Sequence, residues 1–269
     1  MASNPLFHLE HVEFNLSPCP NDIFMISGWD LGLSDHDIKC KPVIFGVQSL
    51  NELALKSQPK VSKISATTYL KISHLYDLLP VGATFSHKTG PLLVQKKYNN
   101  FSASSSGFKV AVGGKNTTAS ALLKMYYPNL QQVYCDFSKV FSLLEEGKVE
   151  FAVVIHESRL LLNTYDCKEC EDLGALWVKD TSLPIILGVL VVRKDVCESV
   201  RSKISSSIRK SIKWGLQNKT IVSKNIVKYS QENDLGKIWN HIDNFTPSYC
   251  NDDIILKSLS LFNSRVNRL

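Results

Sequence analysis

A chain of 269 residues with 44% hydrophobic and 21% charged residues and a mean hydropathy of -0.05 can bury one large core or two modest ones, which excludes a disordered or fibrous chain. Its net charge of +6 is uneven: residues 1–194 carry 19 Lys and Arg against 18 Asp and Glu, and residues 195–269 carry 12 against 7. That excess is spread along helical-looking segments and reads as a solvated helix face, not a nucleic-acid stripe, and no apolar run reaches the ~18 residues of a membrane span.

The first Lys or Arg is Lys39, and residues 1–16 are broken by His8, Glu10, His11 and Glu13. No export signal is expected and the compartment is read as cytoplasmic. The seven scattered cysteines, Cys250 the last, are then expected as thiols. Residues 12–16 alternate apolar and polar and read as a strand, as do 41–46. Residues 48–56 have helical spacing, 62–64 form a short strand, and 67–76 read as a helix with Leu70 and Leu75 on one side. Residues 108–112 read as a strand and 117–127 as a helix; 138–146 read as a helix stopped by Gly147. Residues 151–155 are all apolar, the mark of a buried parallel strand. Cys167 and Cys170 lie in the charged stretch 166–172, which reads as a loop; no second pair at zinc spacing follows, so no metal is expected there. Beyond residue 194 the chain reads as helical, with Val200, Ile204, Ile208, Ile212 and Leu216 forming one apolar stripe.

Strands alternating with helices argue for an α/β fold with mainly parallel sheets. Residues 91–96 and 187–194 are alike, each an apolar strand ending in basic residues after a Pro or Gly cluster. If the chain crosses at Pro91 and returns near Gly188, residues 1–91 and 188–269 form one discontinuous lobe and 92–187 an inserted second lobe, with two hinge strands. A single doubly wound domain is the alternative.

Three constellations carry chemistry. Ser17-Pro18-Cys19-Pro20-Asn21-Asp22 follows the first strand, and its prolines fix a rigid loop where open α/β sheets bind ligands. Asn116-Thr117-Thr118-Ala119-Ser120 follows a strand and a glycine turn; a hydroxyl-rich helix start suits an anion or serves simply as an N-cap. His156-Glu157-Ser158-Arg159 follows the buried strand, where an imidazole reaches the ligand crevice and can act as a general base, with Glu157 placed to orient it. The other six histidines lack such a setting.

In order and spacing these stretches resemble the 1,4-dihydroxy-6-naphthoate synthases of the futalosine route to menaquinone. The resemblance also runs through Ser49-Leu50-Asn51, Ser62-Lys63-Ile64-Ser65, Gly90-Pro91-Leu92, Asp172-Leu173-Gly174 with Trp177, and Leu183-Pro184 with Leu187-Gly188. It departs from the family at Lys60-Val61, at 84–89, at Ile185-Ile186 and in Tyr229-Ser230-Gln231-Glu232. The resemblance implies a two-lobed fold of the type-2 periplasmic-binding-protein kind, with helices on both faces of each sheet. It implies cleavage of cyclic dehypoxanthinylfutalosine, a small anionic substrate, to 1,4-dihydroxy-6-naphthoate, with no metal or redox cofactor. It implies His156 as proton acceptor, Lys63, Ile64, Ser65, Thr117 and Thr118 as substrate-binding residues, and Asn51 and Asp22 in the cleft. Chorismate dehydratase on the same fold is a rival that lacks the His-Glu-Ser-Arg stretch, and a non-catalytic small-anion-binding protein is another. Neither nucleic acid nor membrane is an expected partner.

Overall fold

A computed structural model describes residues 11–32, 38–230, 232–244, 247–248 and 253–268. The first ten residues, Gln231, Cys250 and the side chain of Glu157, on which expectations above bear, lie outside the described set. The chain runs β1 (His11–Leu16), α1 (Pro20–Asp30), β2 (Lys39–Ile44), α2 (Val47–Leu55), β3 (Val61–Ser65), α3 (Ala66–Ile72), β4 (Tyr76–Leu78) and β5 (Ala83–Ser86). It continues with β6 (Leu92–Lys96), β7 (Lys109–Val112), α4 (Thr118–Tyr126), β8 (Gln131–Tyr134), α5 (Val140–Glu145), β9 (Phe151–Val154), β10 (Cys167–Asp172) and α6 (Leu173–Thr181). The last part is β11 (Ile185–Arg193), α7 (Glu198–Gln217), α8 (Lys219–Val227), α9 (Leu235–Asn244), β12 (Pro247–Ser248) and α10 (Asp253–Val266).

Two sheets result. One has the order β12-β5-β11-β3-β1-β2 with β4 also on β11; the other has the order β10-β6-β9-β7-β8. β1 is parallel to β2 and β3, and β7 is parallel to β8 and β9. The strands at which the chain changes sheets, β6 and β11, run antiparallel to their neighbours. The parallel share is therefore narrower than strand–helix alternation predicts. β11 already pairs with β5 from Ile185 onward.

The apolar strands are apolar on both faces because helices cover both faces. Along β11, Leu190 and Val192 pack with Phe14, Trp29, Ile204 and Ile208, while Val189 and Val191 pack with Tyr76 and Ile255 on the other side. In the second sheet Val110, Val112 and Phe151 meet Leu122 and Trp177, while Ala111, Ala152 and Val154 meet Phe141 and Leu144.

Three local expectations are corrected. The helix read over 67–76 stops at Ile72, because Tyr76 turns into the core, donates its hydroxyl to Pro59 O at 2.7 Å and opens a strand on β11. This long-range pairing is invisible to local periodicity. Cys167 and Cys170 lie not in a loop but on β10, an edge strand whose charged residues suit an unpaired edge; both are free thiols. The α7 stripe fails at Leu216, which is 50% exposed. Steps of four residues advance the helix by ~400°, so the stripe drifts ~40° per step. The face that α1 covers instead carries Ser211 and Gly215. Ser211 Oγ accepts from Trp29 N at 3.1 Å, and a Cβ on Gly215 would stand 2.9 Å from the Phe24 ring.

The crossing into β6 is tight. A Cβ on Gly90 would lie 2.6 Å from Gly174 Cα, and one on Gly174 would lie 2.5 Å from Gly90 Cα. Both atoms met are backbone, so neither can swing away. Gly174→Ala is expected to lower stability by about 1–3 kcal/mol, read as a lowered urea midpoint at unchanged slope. A midpoint equal to wild type would show that the crossing tolerates a wider gap.

Candidate functional site

The ends of the parallel strands generate the site. The carboxyl ends of β1 and β3 in one sheet face those of β7 and β9 in the other, where ligands bind in open α/β folds. Between them lies a cleft of about 710 Å³, including its solvent mouth. Asp22, Lys63, Ile64 and Ser65 line it from the first lobe, and Thr117, Thr118 and His156 from the second.

The β1–α1 loop is locked by Asp22. Its Oδ2 accepts from Ser17 Oγ at 2.6 Å and Ser17 N at 3.3 Å, while Oδ1 lies 3.4 Å from Lys63 Nζ. Lys63 is buried, and its ammonium also donates to Gly82 O at 2.5 Å and Thr84 Oγ1 at 2.7 Å. Two of its N–H groups are thus bonded within the protein, and Asp22 stands beside them as the counter-charge.

Asn51 is fully buried and stands behind the wall. It donates to Ser65 Oγ at 3.0 Å and to Asn116 O at 3.1 Å, and its Oδ1 accepts from Ser65 N at 2.9 Å. Thr68 Oγ1 also donates to Asn116 O, at 2.8 Å. Asn51 and Thr68 therefore clasp the loop leading into α4, from the opposite lobe. Gly114 in that loop has φ +107° and lies against Gln48, so it needs both a left-handed backbone and no side chain.

At the start of α4, Thr117 is the N-cap. Its Oγ1 accepts from Ser120 N at 3.2 Å and donates to Gly114 O at 3.0 Å. Thr118 Oγ1 donates to Leu187 O at 2.8 Å, tying α4 to β11. With both hydroxyls committed, the helix offers the cleft its dipole and the first-turn N–H groups of Thr118 and Ala119, which have no intrahelical acceptor.

His156 follows β9 in the left-handed region, at φ +52°, and opens the 3-10 turn His156–Leu161. A strained non-glycine residue in that region is frequent at functional sites. The Phe137 ring meets its imidazole edge-on at 6.0 Å. Three residues on, Arg159 lies 3.1 Å from Asp172 Oδ2 and also donates to Thr89 Oγ1. Burial pulls the guanidinium below its ordinary value, against the pull of Asp172 and Glu169.

The fold adds a histidine that no sequence motif marks. His241, on α9, is buried in the cleft wall with its Nε2 4.0 Å from Cys19 Sγ. Burial, reinforced by the charges of His156 and Arg159, pushes its pKa down to about 3, so the ring is neutral at physiological pH. It lies 85 residues beyond His156 in the chain, on an amphipathic helix whose buried side also carries Ile238 and Ile242.

A family model described as menaquinone biosynthesis matches residues 14–260. A curated relative, the 1,4-dihydroxy-6-naphthoate synthase of Thermus thermophilus, is 28% identical over 244 residues, covering 91% of this chain and 89% of the relative. Among solved structures, protein AF1704 from Archaeoglobus fulgidus superposes with a TM-score of 0.90 at 24% identity, covering 97% of this chain and 98% of the other. The periplasmic aliphatic sulphonate binding protein of Escherichia coli superposes with a TM-score of 0.69 at 12% identity, covering 96% and 88%. The fold is therefore of the periplasmic-binding-protein kind. Among the described residues, no helix is long and apolar enough to cross a membrane.

The Asp22–Lys63 pair gives a sharp test. Asp22→Asn leaves a buried ammonium short of its counter-charge and is expected to cost ~3 kcal/mol. Adding Lys63→Met is expected to restore part of that loss, so the cost of the double variant falls short of the sum of the two single-variant costs by more than ~1 kcal/mol. Additive costs in urea unfolding would show that the pair does not interact.

Proposed function

The chain belongs to the menaquinone-biosynthesis family whose model spans residues 14–260, and from that premise we propose that it is a lyase converting cyclic dehypoxanthinylfutalosine to 1,4-dihydroxy-6-naphthoate. The name of its Thermus thermophilus relative supports the product. The observation that carries the reading is His156, placed at the end of β9 and facing a cleft lined from both lobes.

His156 is the general base. Releasing the sugar-derived fragment beside a carbonyl needs a base for an acidified C–H, and imidazole is suited to that proton transfer. The carboxylate that the product retains sits at the N-terminus of α4, on the N–H groups of Thr118 and Ala119, where the helix dipole favours negative charge. Lys63 adds positive potential from the opposite wall while two of its N–H groups stay on Thr84 and Gly82, beside the Asp22 carboxylate. Ile64 supplies apolar contact, and Ser65, oriented by Asn51, supplies a hydroxyl. Charge that develops on oxygen meets fixed donors.

The two sheets with the helices that cover them act as the two bodies that close on the substrate, the chain returning to the first at β11, which excludes water and joins His156 to the first-lobe groups. The reaction proceeds on protein groups alone, in the cytoplasm.

The test is purified protein with cyclic dehypoxanthinylfutalosine, the product followed by chromatography. Wild type is expected to form 1,4-dihydroxy-6-naphthoate. His156→Ala is expected to lose about 10²–10⁴ in kcat with little change in KM. Absence of the naphthoate with wild type overturns the assignment, and binding without turnover would favour a solute-binding role. Undiminished turnover by His156→Ala overturns the role of that residue.

A further inference from the structure

Three side chains from distant parts of the chain converge in the cleft: Cys19 from the loop before α1, His156 from the turn after β9, and His241 from α9. One ligand atom of each lies within 4.8 Å of the other two, and Cys19 Sγ stands 4.0 Å from His241 Nε2. We propose that Cys19, His241 and His156 form a binding site for a zinc-class divalent cation, with two ligands from the first lobe and one from the second, and that the bound ion holds the cleft shut and blocks turnover.

The donor set argues for the metal class. One thiolate and two imidazoles suit zinc, whereas magnesium and calcium require oxygen ligands. Bonds of ~2.3 Å to sulfur and ~2.0–2.1 Å to nitrogen place tetrahedral neighbours roughly 3.5 Å apart. The ligand atoms therefore need to approach one another by up to ~1.3 Å, shared between two side chains, a movement within reach of small χ rotations. The backbone carrying the thiol is fixed: Pro18 and Pro20 flank Cys19, which is itself the N-cap of α1.

Local charge permits a cation. The two basic groups sharing this cleft each stand beside a carboxylate, Arg159 at 3.1 Å from Asp172 and Lys63 at 3.4 Å from Asp22. On binding, Cys19 loses its thiol proton to solvent and gives up its S–H···Oδ1 contact with Asn21, now 3.6 Å. The thiolate and two neutral imidazoles then each donate one electron pair and the site carries a net charge of +1; where both imidazoles start neutral, one proton is released per ion bound. The three protein ligands leave a fourth position for a water or a ligand carboxylate.

Metal binding does not depend on the proposed reaction, whereas blocked turnover rests on that reading. The probe is cobalt(II), added to chelator-treated and desalted full-length protein. Wild type is expected to develop a sulfur-to-cobalt charge-transfer band with the intense visible bands of four-coordinate cobalt, and zinc is expected to erase both. Cys19→Ser is expected to lose the charge-transfer band. His241→Gln is expected to bind cobalt at least about tenfold more weakly, since removing even an outer-shell partner costs that much. Circular dichroism identifies a variant that fails to fold. Independently of any variant, zinc is expected to raise the wild-type melting temperature.

No charge-transfer band in wild type, or a band that survives in folded Cys19→Ser, overturns the site. Zinc is expected to stop naphthoate formation and a chelator to restore it; turnover unaffected by zinc at a concentration that erases the cobalt bands overturns the blocking role. Cobalt bands in a protein that makes no naphthoate would defeat the proposed function and leave the site standing. Naphthoate formation without the bands would do the reverse.

Discussion

The carboxylate of Asp172 is the point on which the arrangement of the two lobes turns. Its Oδ1 accepts from Gly90 N at 2.8 Å and from Gly174 N and Ala175 N at 2.9 Å. Its Oδ2 accepts from Thr89 Oγ1 and from Arg159. One side chain thus caps α6, fixes the strand as it crosses between sheets, and anchors the turn that begins at His156. Charge-assisted bonds of this kind are the stronger ones, and a buried carboxylate requires them. The Gly90–Gly174 contact follows directly: the crossing strand has to reach the cap, and two missing side chains let the backbones meet.

The same economy governs the cleft. Lys63 is held by Asp22, Thr84 and Gly82, and the hydroxyls of Thr117 and Thr118 are spent on the backbone of Gly114 and Leu187. These groups thus also set charge, dipole and position within the cleft wall. In the proposed reaction recognition falls to backbone N–H groups at the start of α4, to Ser65 and to His156, set among apolar walls such as Ile64, Leu50 and Ile155. A few fixed polar groups in a largely apolar cleft is the usual composition of a small-molecule site. Asn51 acts one layer back, where its amide joins Ser65 to the α4 loop across the lobes.

Much of this is legible in the order of the residues. β9 announces itself as an unbroken apolar run, and the polar stretch after it marks a strand end that faces a crevice. The start of α4 follows from strand, glycine turn and hydroxyl cluster, because N-capping is local chemistry. What stays hidden depends on contacts far apart in sequence. Tyr76 leaves its helix because β11 passes nearby. The charged stretch around Cys167 becomes a strand because β6 offers an edge. His241 reaches the cleft only because α9 folds back against α1 and the turn at His156; its place beside Ile238 and Ile242 marks a buried histidine but not a cleft residue.

The central claim is that groups from both lobes hold one ligand, with His156 against its ring and the start of α4 at its carboxylate. The most direct measurement is a crystal structure of the protein with 1,4-dihydroxy-6-naphthoate. The expected result places the naphthoate in the cleft, its carboxylate on the N–H groups of Thr118 and Ala119, its ring system beside His156, and Ser65 in contact from the opposite wall. A naphthoate bound outside the cleft, or touching residues of one lobe alone, would contradict the account.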